Sequence, residues 1–143
     1  MRIAEIIKTK GSQVNRVAAE ATLAQAAELM RSNQVGSLVV IKEGELIGIL
    51  NEREIVAAFA TLGARAVDST VSATMKRDPP ICDVSDTIEQ VMAKMTASRA
   101  RHLPVFDGNQ IAGLVSIGDV VKGRLSELEH DANLVHEYVT WGR

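Results

Sequence analysis

Apolar and polar positions along the chain follow two periods, one typical of helices and one typical of strands. The segment TLAQAAELMRSN spaces its apolar residues as one face of a helix, and Thr22 with Gln25 forms a capping box at its start. Two short apolar runs follow, GSLVVI and LIGIL, with the polar turn KEGE between them. This pattern predicts a helix, then a β-hairpin, then a second helix that starts at Asn51.

The same order of elements occurs again, displaced by 65 residues. Thr22 aligns with Thr87 and Gly48 aligns with Gly113, without a gap between them. In the second copy IEQVMAKM provides the helix, HLPVF and IAGLV provide the hairpin, and the last helix starts at Ser116. A chain that repeats itself at a fixed period predicts two units of similar structure.

The predicted fold class is therefore α+β, with two pseudo-symmetric repeats that pack into one body. Each repeat is expected to hold a short three-stranded sheet with helices on one face, and its lead-in strand lies near residues 14–17 or 80–84. The predicted boundaries are 1–65 for the first repeat, 66–124 for the second and 125–143 for a C-terminal helical tail. The prolines of RDPP give the clearest linker signal, and LGARAVDST joins the two halves.

The tail, KGRLSELEHDANLVHEYVTW, has the spacing of an amphipathic helix, with Gly123 as a candidate interruption. Its apolar stripe packs either on the protein's own body or against a second subunit, and the sequence leaves both arrangements open. The stripe consists of Leu125, Leu128, Ala132, Val135 and Val139.

Composition narrows the classes of function. Apolar residues make up 46% of the chain and aromatic residues 3%, and the formal net charge is -2. A nucleic-acid-binding domain usually has a basic face and aromatic side chains that stack on bases, so we expect no nucleic-acid partner. No apolar run is long enough to cross a bilayer, and Met1 leads into a helical pattern instead of a signal peptide. We therefore expect a cytoplasmic protein without a membrane contact.

The residues that usually bind metals or catalyse reactions are few. A single cysteine, Cys82, excludes an internal disulfide framework, and its spacing to the three histidines matches no metal-binding pattern. No paired carboxylates and no nucleophile–base couple emerge from the sequence, so neither a bound metal nor an enzyme is expected.

Two long segments carry a resemblance to a known family. They read ATLAQAAELMRSNQVGSLVVIKEGELIGILNEREIV and DTIEQVMAKMTASRARHLPVFDGNQIAGLVSIGDVV, and the lead-ins MRIAEII and VSATMKRDPPI add to them. Together they resemble a tandem pair of cystathionine-β-synthase (CBS) domains, the Bateman module, of the small stand-alone bacterial type. The resemblance covers nearly all of the chain up to Val121.

The resemblance implies a function that the composition alone does not. It implies two clefts between the paired repeats, where AMP, ADP, ATP, NAD(H) or S-adenosylmethionine can bind as a regulatory ligand without an obligate cofactor. It also implies a flat homodimer with four repeats and a regulated partner protein that the sequence does not identify.

Ser116 and Asp119 have two interpretations. A serine at the end of a strand, with an aspartate three residues later, caps the N-terminus of a helix and needs no ligand. An aspartate can also accept two hydrogen bonds from a ribose diol, and the helix N-terminus beside it favours a phosphate. In the family, the pattern Gly-h-x-[Ser/Thr]-x-x-Asp, where h is apolar, holds the ribose. GLVSIGD (113–119) matches it fully, so the resemblance implies a ligand-binding role for both residues.

The first copy departs from this pattern. GILNERE (48–54) has Asn51 in place of the hydroxyl and Glu54 in place of the aspartate. Asn51 caps a helix equally well, whereas the longer side chain of Glu54 would extend into the space of a ribose. We therefore expect unequal sites, with the first cleft binding more weakly, differently or not at all.

A basic stretch, SRARHLPV, precedes the second hairpin. Arg99 and Arg101 alternate with an alanine, so on a strand or its approach they would share one face. Arginine suits phosphate, and His102 adds a donor when it is protonated, although such a run is also typical of a solvated edge. The resemblance implies that these residues face the phosphate and that Pro104 lies near the adenine.

Two further residues complete the candidate set. Arg53 lies in the first turn of its helix, where a cation is unfavourable unless it meets an anion, so it is a candidate for a phosphate bound by the partner repeat. Cys82 aligns with the apolar Val17, which favours a small buried residue, and it is kept among the candidate ligand-contacting residues.

The leading hypothesis is therefore a regulatory module that senses an adenine nucleotide, with AMP or NAD(H) foremost. A ligand-independent dimeric scaffold, whose tail stripe docks a partner, is the alternative from another class. A sensor of S-adenosylmethionine is the alternative within the same class.

Overall fold

A computed structural model of the protein describes residues 1–11 and 13–141, with side chains described through His136. The helices are α1 (Ile3–Lys10), α2 (Leu23–Asn33), α3 (Glu52–Leu62), α4 (Val71–Thr74), α5 (Ile88–Ser98) and α6 (Ile117–Trp141), with a 3₁₀ segment at Gly63–Asp68. The strands are β1 (Arg16–Ala18), β2 (Ser37–Lys42), β3 (Glu45–Asn51), β4 (Lys76–Arg77), β5 (Cys82–Asp83), β6 (His102–Asp107) and β7 (Gln110–Ser116).

Packing divides the chain into two compact units. The first-repeat unit comprises Gln13–Pro79, and the second-repeat unit comprises Met1–Ser12 together with Pro80–Arg143. The division falls within the prolines of RDPP, where the sequence gives its linker signal. It differs from the predicted boundaries 1–65 and 66–124, because α1 packs in the second-repeat unit and α4 packs in the first-repeat unit.

Backbone hydrogen bonds fasten α1 to the second-repeat unit. The Ile3 amide donates to the Asp86 carbonyl at 2.9 Å, and the Ala4 amide donates to the Val84 carbonyl at 2.9 Å. Ile3 is 0% exposed and packs in the same core cluster as Val105. The N-terminal helix is therefore an integral part of the unit that begins again at Pro80.

The lead-in segment at α4 makes the equivalent bonds in the first-repeat unit. The Val71 amide donates to the Ala21 carbonyl at 2.8 Å, and the Ser72 amide donates to the Ala19 carbonyl at 2.9 Å. Val71 is 0% exposed, and Ala66 in the 3₁₀ segment is also 0% exposed. The lead-in at α4 therefore contributes to the core of the first-repeat unit, and so does Ala66 of LGARAVDST, the segment that was expected to join the halves.

The sheets confirm the α+β class and the repeat. In the second-repeat unit the strand order is β5-β6-β7, and in the first-repeat unit it is β1-β2-β3-β4. The lead-in strand pairs parallel with the hairpin in both units, and both hairpins shift register at equivalent positions, between Val40 and Ile41 and between Val105 and Phe106. The expectation of three strands is wrong for the first repeat, because Lys76 and Arg77 add an edge strand that pairs antiparallel with β3.

Side chains cap the helices as the sequence predicts. Thr22 Oγ1 accepts a bond from the backbone amide of Gln25 at 3.2 Å, and Gln25 Oε1 accepts one from the backbone amide of Thr22 at 2.9 Å. Thr87 and Gln90 make the same reciprocal pair at 3.2 and 2.8 Å. Both repeats therefore begin their first helix with the same capping box.

The C-terminal helix is longer than the sequence predicts. α6 runs from Ile117 to Trp141 without the interruption expected near Gly123, and the tail continues the last helix of the repeat. Gly123 has a packing role, because a Cβ atom there would lie 2.8 Å from Ile88 Cδ1. The stripe does not pack on the body, since its members with described side chains are all exposed, and Val139 lies outside the described side chains. Those exposed members are Leu125, Leu128, Ala132 and Val135.

We predict that Ile3→Ala lowers the free energy of unfolding by about 2–5 kcal/mol, because it leaves a cavity in the core of the second-repeat unit. The exposed Lys8 on the same helix provides the control, and Lys8→Ala should stay within about 0.5 kcal/mol of the parent. Urea denaturation measures both. Equal effects of the two substitutions would show that α1 does not pack in the core.

Candidate functional site

The predicted site residues Ser116 and Asp119 form a reciprocal cap where β7 ends and α6 begins. The Ser116 amide donates to Asp119 Oδ2 at 2.9 Å, and the Asp119 amide donates to Ser116 Oγ at 3.1 Å. Both residues are half-buried. We call this corner of the second-repeat unit the β7–α6 corner. The structural interpretation of the motif is therefore realised, and the carboxylate is fixed in place by the backbone.

A residue that the sequence did not single out shares this carboxylate. Lys10, at the end of α1, donates from Nζ to Asp119 Oδ2 at 2.6 Å and to the Leu114 carbonyl at 2.8 Å. The ion pair joins residues 109 positions apart, so no local pattern announces it. It forms because the hydrogen bonds of Ile3 and Ala4 attach α1 to this unit.

The charge of Asp119 depends on these neighbours. Burial would raise the pKa of the Asp119 carboxyl, but hydrogen bonds from Lys10 and Ser116 and the positive charge of Lys10 hold that pKa below its ordinary value. The carboxylate is therefore ionised at neutral pH. A carboxylate has roughly four acceptor positions over its two oxygens, so it can take further donors such as hydroxyl groups.

A cavity of about 400 Å³ adjoins the corner between α1 and α6. Two lysine ammonium groups and two carboxylates lie on its wall together with two hydroxyl groups, so it presents charges of both signs to a ligand. The polar lining consists of Glu5, Thr9, Lys10, Asp119, Lys122 and Ser126.

The fold brings part of the basic stretch beside the corner. His102 is the register partner of Ser116 across β6 and β7, and the Ile117 amide donates to the Arg101 carbonyl at 2.8 Å. Arg101 is exposed and His102 is half-buried. Both residues therefore lie at the start of the helix that Ser116 caps.

Arg99 does not follow the alternation argued from the sequence. It is the C-cap of α5 in the left-handed conformation, with φ of 55°, and β6 begins only at His102. The equivalent residue of the first repeat, Gln34, has the same conformation with φ of 55°. The argument that Arg99 and Arg101 share one face of a strand is therefore wrong, although the two residues remain close in sequence.

Pro104 and Cys82 lie on strands away from the surface. Pro104 is buried on β6 opposite Leu114, and Cys82 on β5 pairs with Val105. The Cys82 side chain is 3% exposed, and burial together with nearby Asp86 raises the pKa of its thiol to about 12. Cys82 therefore packs as a small apolar residue, as its alignment predicts. Ligand contacts of Pro104 and Cys82 remain predictions.

The first-repeat unit has the equivalent corner with different chemistry. The backbone amide of Asn51 donates to Glu54 Oε2 at 2.9 Å, so the glutamate folds back onto the helix cap as Asp119 does. The side-chain oxygen of Asn51 accepts a bond from Ser37 Oγ at 2.7 Å. Arg53, in the first turn of α3, is exposed. The corner keeps its helix cap, and Gly36 and Ser37 replace the basic pair Arg101 and His102.

The described part of the chain contains neither a cluster of metal ligands nor a membrane-spanning helix. Its histidine, cysteine and carboxylate side chains do not gather in any group of three that could hold a metal ion. No helix among the described residues is both long and apolar enough to cross a membrane.

Comparison with known proteins identifies the family. The model of the CBS domain matches residues 4–61 and again residues 69–126. The chain therefore belongs to the CBS domain family and contains a pair of these domains. Proteins with such pairs are generally regulatory, nucleotide-binding modules, and the stand-alone members are typically non-catalytic.

Similar proteins occur in bacteria and plants. The crystal structure of the CBS-domain containing protein ATU1752 from Agrobacterium tumefaciens is 34% identical, with a TM-score of 0.83, and the match covers 87% of this chain and 99% of that one. The CBS domain-containing protein YhcV of Bacillus subtilis is 30% identical over 82% of this chain and 84% of its own length. The mitochondrial CBS domain-containing protein CBSX3 of Arabidopsis thaliana is 29% identical over 98% of this chain and 72% of its own length.

We predict that Lys10→Met raises the titration midpoint of the Asp119 carboxyl, because the variant loses the ammonium group that stabilises the ionised form. A lowered pKa stabilises the folded protein above the pKa of the unfolded chain, and this stabilisation is lost as the pH falls through the folded value. Carboxyl ¹³C NMR measures the midpoint. Lys8→Met on the same helix is the control, and a midpoint unchanged by Lys10→Met would contradict the ion pair.

We also predict that Cys82 reacts with iodoacetamide at pH 8 at least about a hundredfold more slowly in the folded protein than in urea, since burial limits both access and thiolate formation. Mass spectrometry of timed samples measures the labelling. Similar rates in the two conditions would mean that the strand carrying Cys82 opens readily.

Proposed function

We propose that the protein is a non-catalytic regulatory module that binds an adenine nucleotide, AMP or NAD(H) in preference to ADP or ATP, at the β7–α6 corner of the second-repeat unit. The observation that carries the proposal is the fixed, ionised carboxylate of Asp119 within a complete GLVSIGD motif. Family membership supports the nucleotide class, because CBS pairs are generally nucleotide-binding modules.

The corner offers a suitable partner for the ribose and for the phosphate of a nucleotide. The ribose diol donates to Asp119, whose Oδ2 is held by the Ser116 backbone amide and by Lys10 Nζ. A phosphate is favoured by the N-terminus of α6 and by the basic residues Arg101 and His102 that lie beside it. When the diol binds, Lys10 shares the carboxylate or turns to the phosphate, and either arrangement keeps its charge compensated.

We propose that the corner of the first-repeat unit binds more weakly. There the Asn51 side-chain oxygen already accepts a bond from Ser37 Oγ, and Glu54, which bonds the Asn51 backbone amide as Asp119 bonds that of Ser116, has a side chain one methylene longer that extends into the space of a ribose. No basic residue occupies the positions of Arg101 and His102. Arg53 remains a candidate for a phosphate contact because it is exposed in the first turn of α3.

We further propose that the protein is a homodimer that passes ligand binding to a partner protein in the cytoplasm. Exposed apolar side chains on α6 support self-association, since Leu125 is 56% exposed and Val135 is 63% exposed. The cytoplasmic location stays a prediction, and one relative is named as mitochondrial. The two alternatives, a scaffold that needs no ligand and a sensor of S-adenosylmethionine, are distinguished from a nucleotide sensor by which ligands the protein binds.

Calorimetric titration of the nucleotide-stripped protein with AMP, ADP, ATP, NAD, NADH and S-adenosylmethionine tests the proposal. We expect one tight site for AMP or NAD(H), and ligand at about a hundredfold over its dissociation constant should stabilise the fold by about 2.7 kcal/mol. Binding of S-adenosylmethionine alone would assign the protein to the alternative sensor class. If none of these ligands binds, the ligand-independent scaffold becomes the favoured function.

Matched substitutions at equivalent positions test the location of the site. Asp119→Ala should weaken the tight site at least about tenfold, because it removes the acceptor for the diol, a charge-assisted bond of about 1.5–3 kcal/mol. Glu54→Ala removes a carboxylate from the same place in the other repeat and should leave the tight site unchanged. The reverse order of effects would place the working site in the first-repeat unit.

A further inference from the structure

One stretch of α6 is exposed on every side. From Leu128 to His136 each described residue is exposed, so this stretch of helix does not pack on the rest of the chain. An isolated helix of this length is marginal in water, because most helical stability in proteins comes from packing one apolar face. Since no surface among the described residues covers this stretch, packing against a partner would stabilise it.

The apolar residues of α6 repeat with the period of a coiled coil. Their spacing alternates between four and three residues, which averages the 3.5 residues of a heptad, and Val139 continues it beyond the described side chains. The large members of this seam are well exposed, with Val121 at 46%, Leu125 at 56%, Leu128 at 47% and Val135 at 63%. Leu125 and Ala132 fall at heptad position a, and Val121, Leu128 and Val135 fall at position d.

We propose that α6 pairs along this seam with α6 of a second copy, as a parallel two-stranded coiled coil. The proposal specifies the surface of the homodimer proposed above and rests on that self-association, but it does not depend on nucleotide binding. A second copy fits because the seam is self-complementary, as a two-fold interface requires.

The charges beside the seam favour the parallel orientation. In a parallel pair the g position of one helix faces the e position of the next heptad in the other, so Arg124 faces the second copy's Glu129, and Asp131 faces the second copy's His136. Arg124 Nη1 already bonds Glu89 Oε1 at 3.1 Å and Glu127 Oε2 at 2.9 Å in its own chain, and the guanidinium has further donors for the second copy's Glu129.

The opposite orientation places like charges together. In an antiparallel pair at full overlap, Glu129 would face Glu129 of the second copy, and Asp131 would face Asp131. Like charges at these positions destabilise a coiled coil and select against that arrangement.

Analytical ultracentrifugation of the full chain tests the seam. We expect a dimer, and Leu128→Glu should raise its dissociation constant at least a hundredfold. Leu134→Glu is the matched control, because Leu134 is 51% exposed on the same helix but lies outside the seam, so its dimer should be unchanged. A monomeric or tetrameric parent, or equal effects of the two substitutions, would overturn the proposal.

Nucleotide titration of Leu128→Glu separates this inference from the proposed function. If Leu128→Glu leaves the dimer unchanged and the protein binds nucleotide, the coiled coil is rejected and the nucleotide sensor is kept. Loss of the dimer with Leu128→Glu, in a protein that binds no nucleotide, would keep the coiled coil and reject the sensor.

Cysteine cross-linking tests the orientation. In a parallel pair two residues at the same a position lie opposite each other, so Ala132→Cys should form an intermolecular disulfide on mild oxidation. Asn133→Cys, one residue away and outside the seam, should remain reduced under the same conditions, and the native Cys82 is 3% exposed. Failure of Ala132→Cys to cross-link, or equal cross-linking of both variants, would overturn the parallel arrangement.

Discussion

The candidate site depends on one interaction, the attachment of α1 to the second-repeat unit. Hydrogen bonds from the amides of Ile3 and Ala4 fix the helix, and its last residue, Lys10, then reaches Asp119 at 2.6 Å. The site is therefore built from two ends of the sequence. A change in α1 alters the charge environment of the proposed ribose acceptor without touching the GLVSIGD motif.

The two repeats show how a structural motif can keep its fold role and differ in chemistry. In both corners a carboxylate accepts a hydrogen bond from the backbone amide of the N-cap residue. Asp119 accepts from Ser116 in one unit, and Glu54 accepts from Asn51 in the other. Among the described residues, the second corner alone has a lysine bonded to the carboxylate, and it has Arg101 and His102 beside it where the first corner has Gly36 and Ser37. Because capping needs neither addition, the asymmetry supports unequal binding.

The sequence predicts most of the architecture, because the helix and strand periods, the capping boxes and the offset between the copies are local patterns. It does not predict contacts that depend on the long-range path of the chain. The ion pair of Lys10, the edge strand at Lys76 and the packing of Gly123 against Ile88 all depend on elements distant in sequence. The geometry of Arg99 differs from expectation for a local reason, since the left-handed residue that ends α5 delays the start of β6.

The central claim is that the β7–α6 corner receives the nucleotide. Backbone amide NMR of the ¹⁵N-labelled protein during titration with AMP and, separately, NAD tests it most directly. The claim predicts saturable shifts centred on Ser116, Asp119 and Arg101, with smaller or later changes at Asn51 and Glu54. Shifts centred on the first-repeat corner, or a spectrum unchanged by both nucleotides, would contradict it.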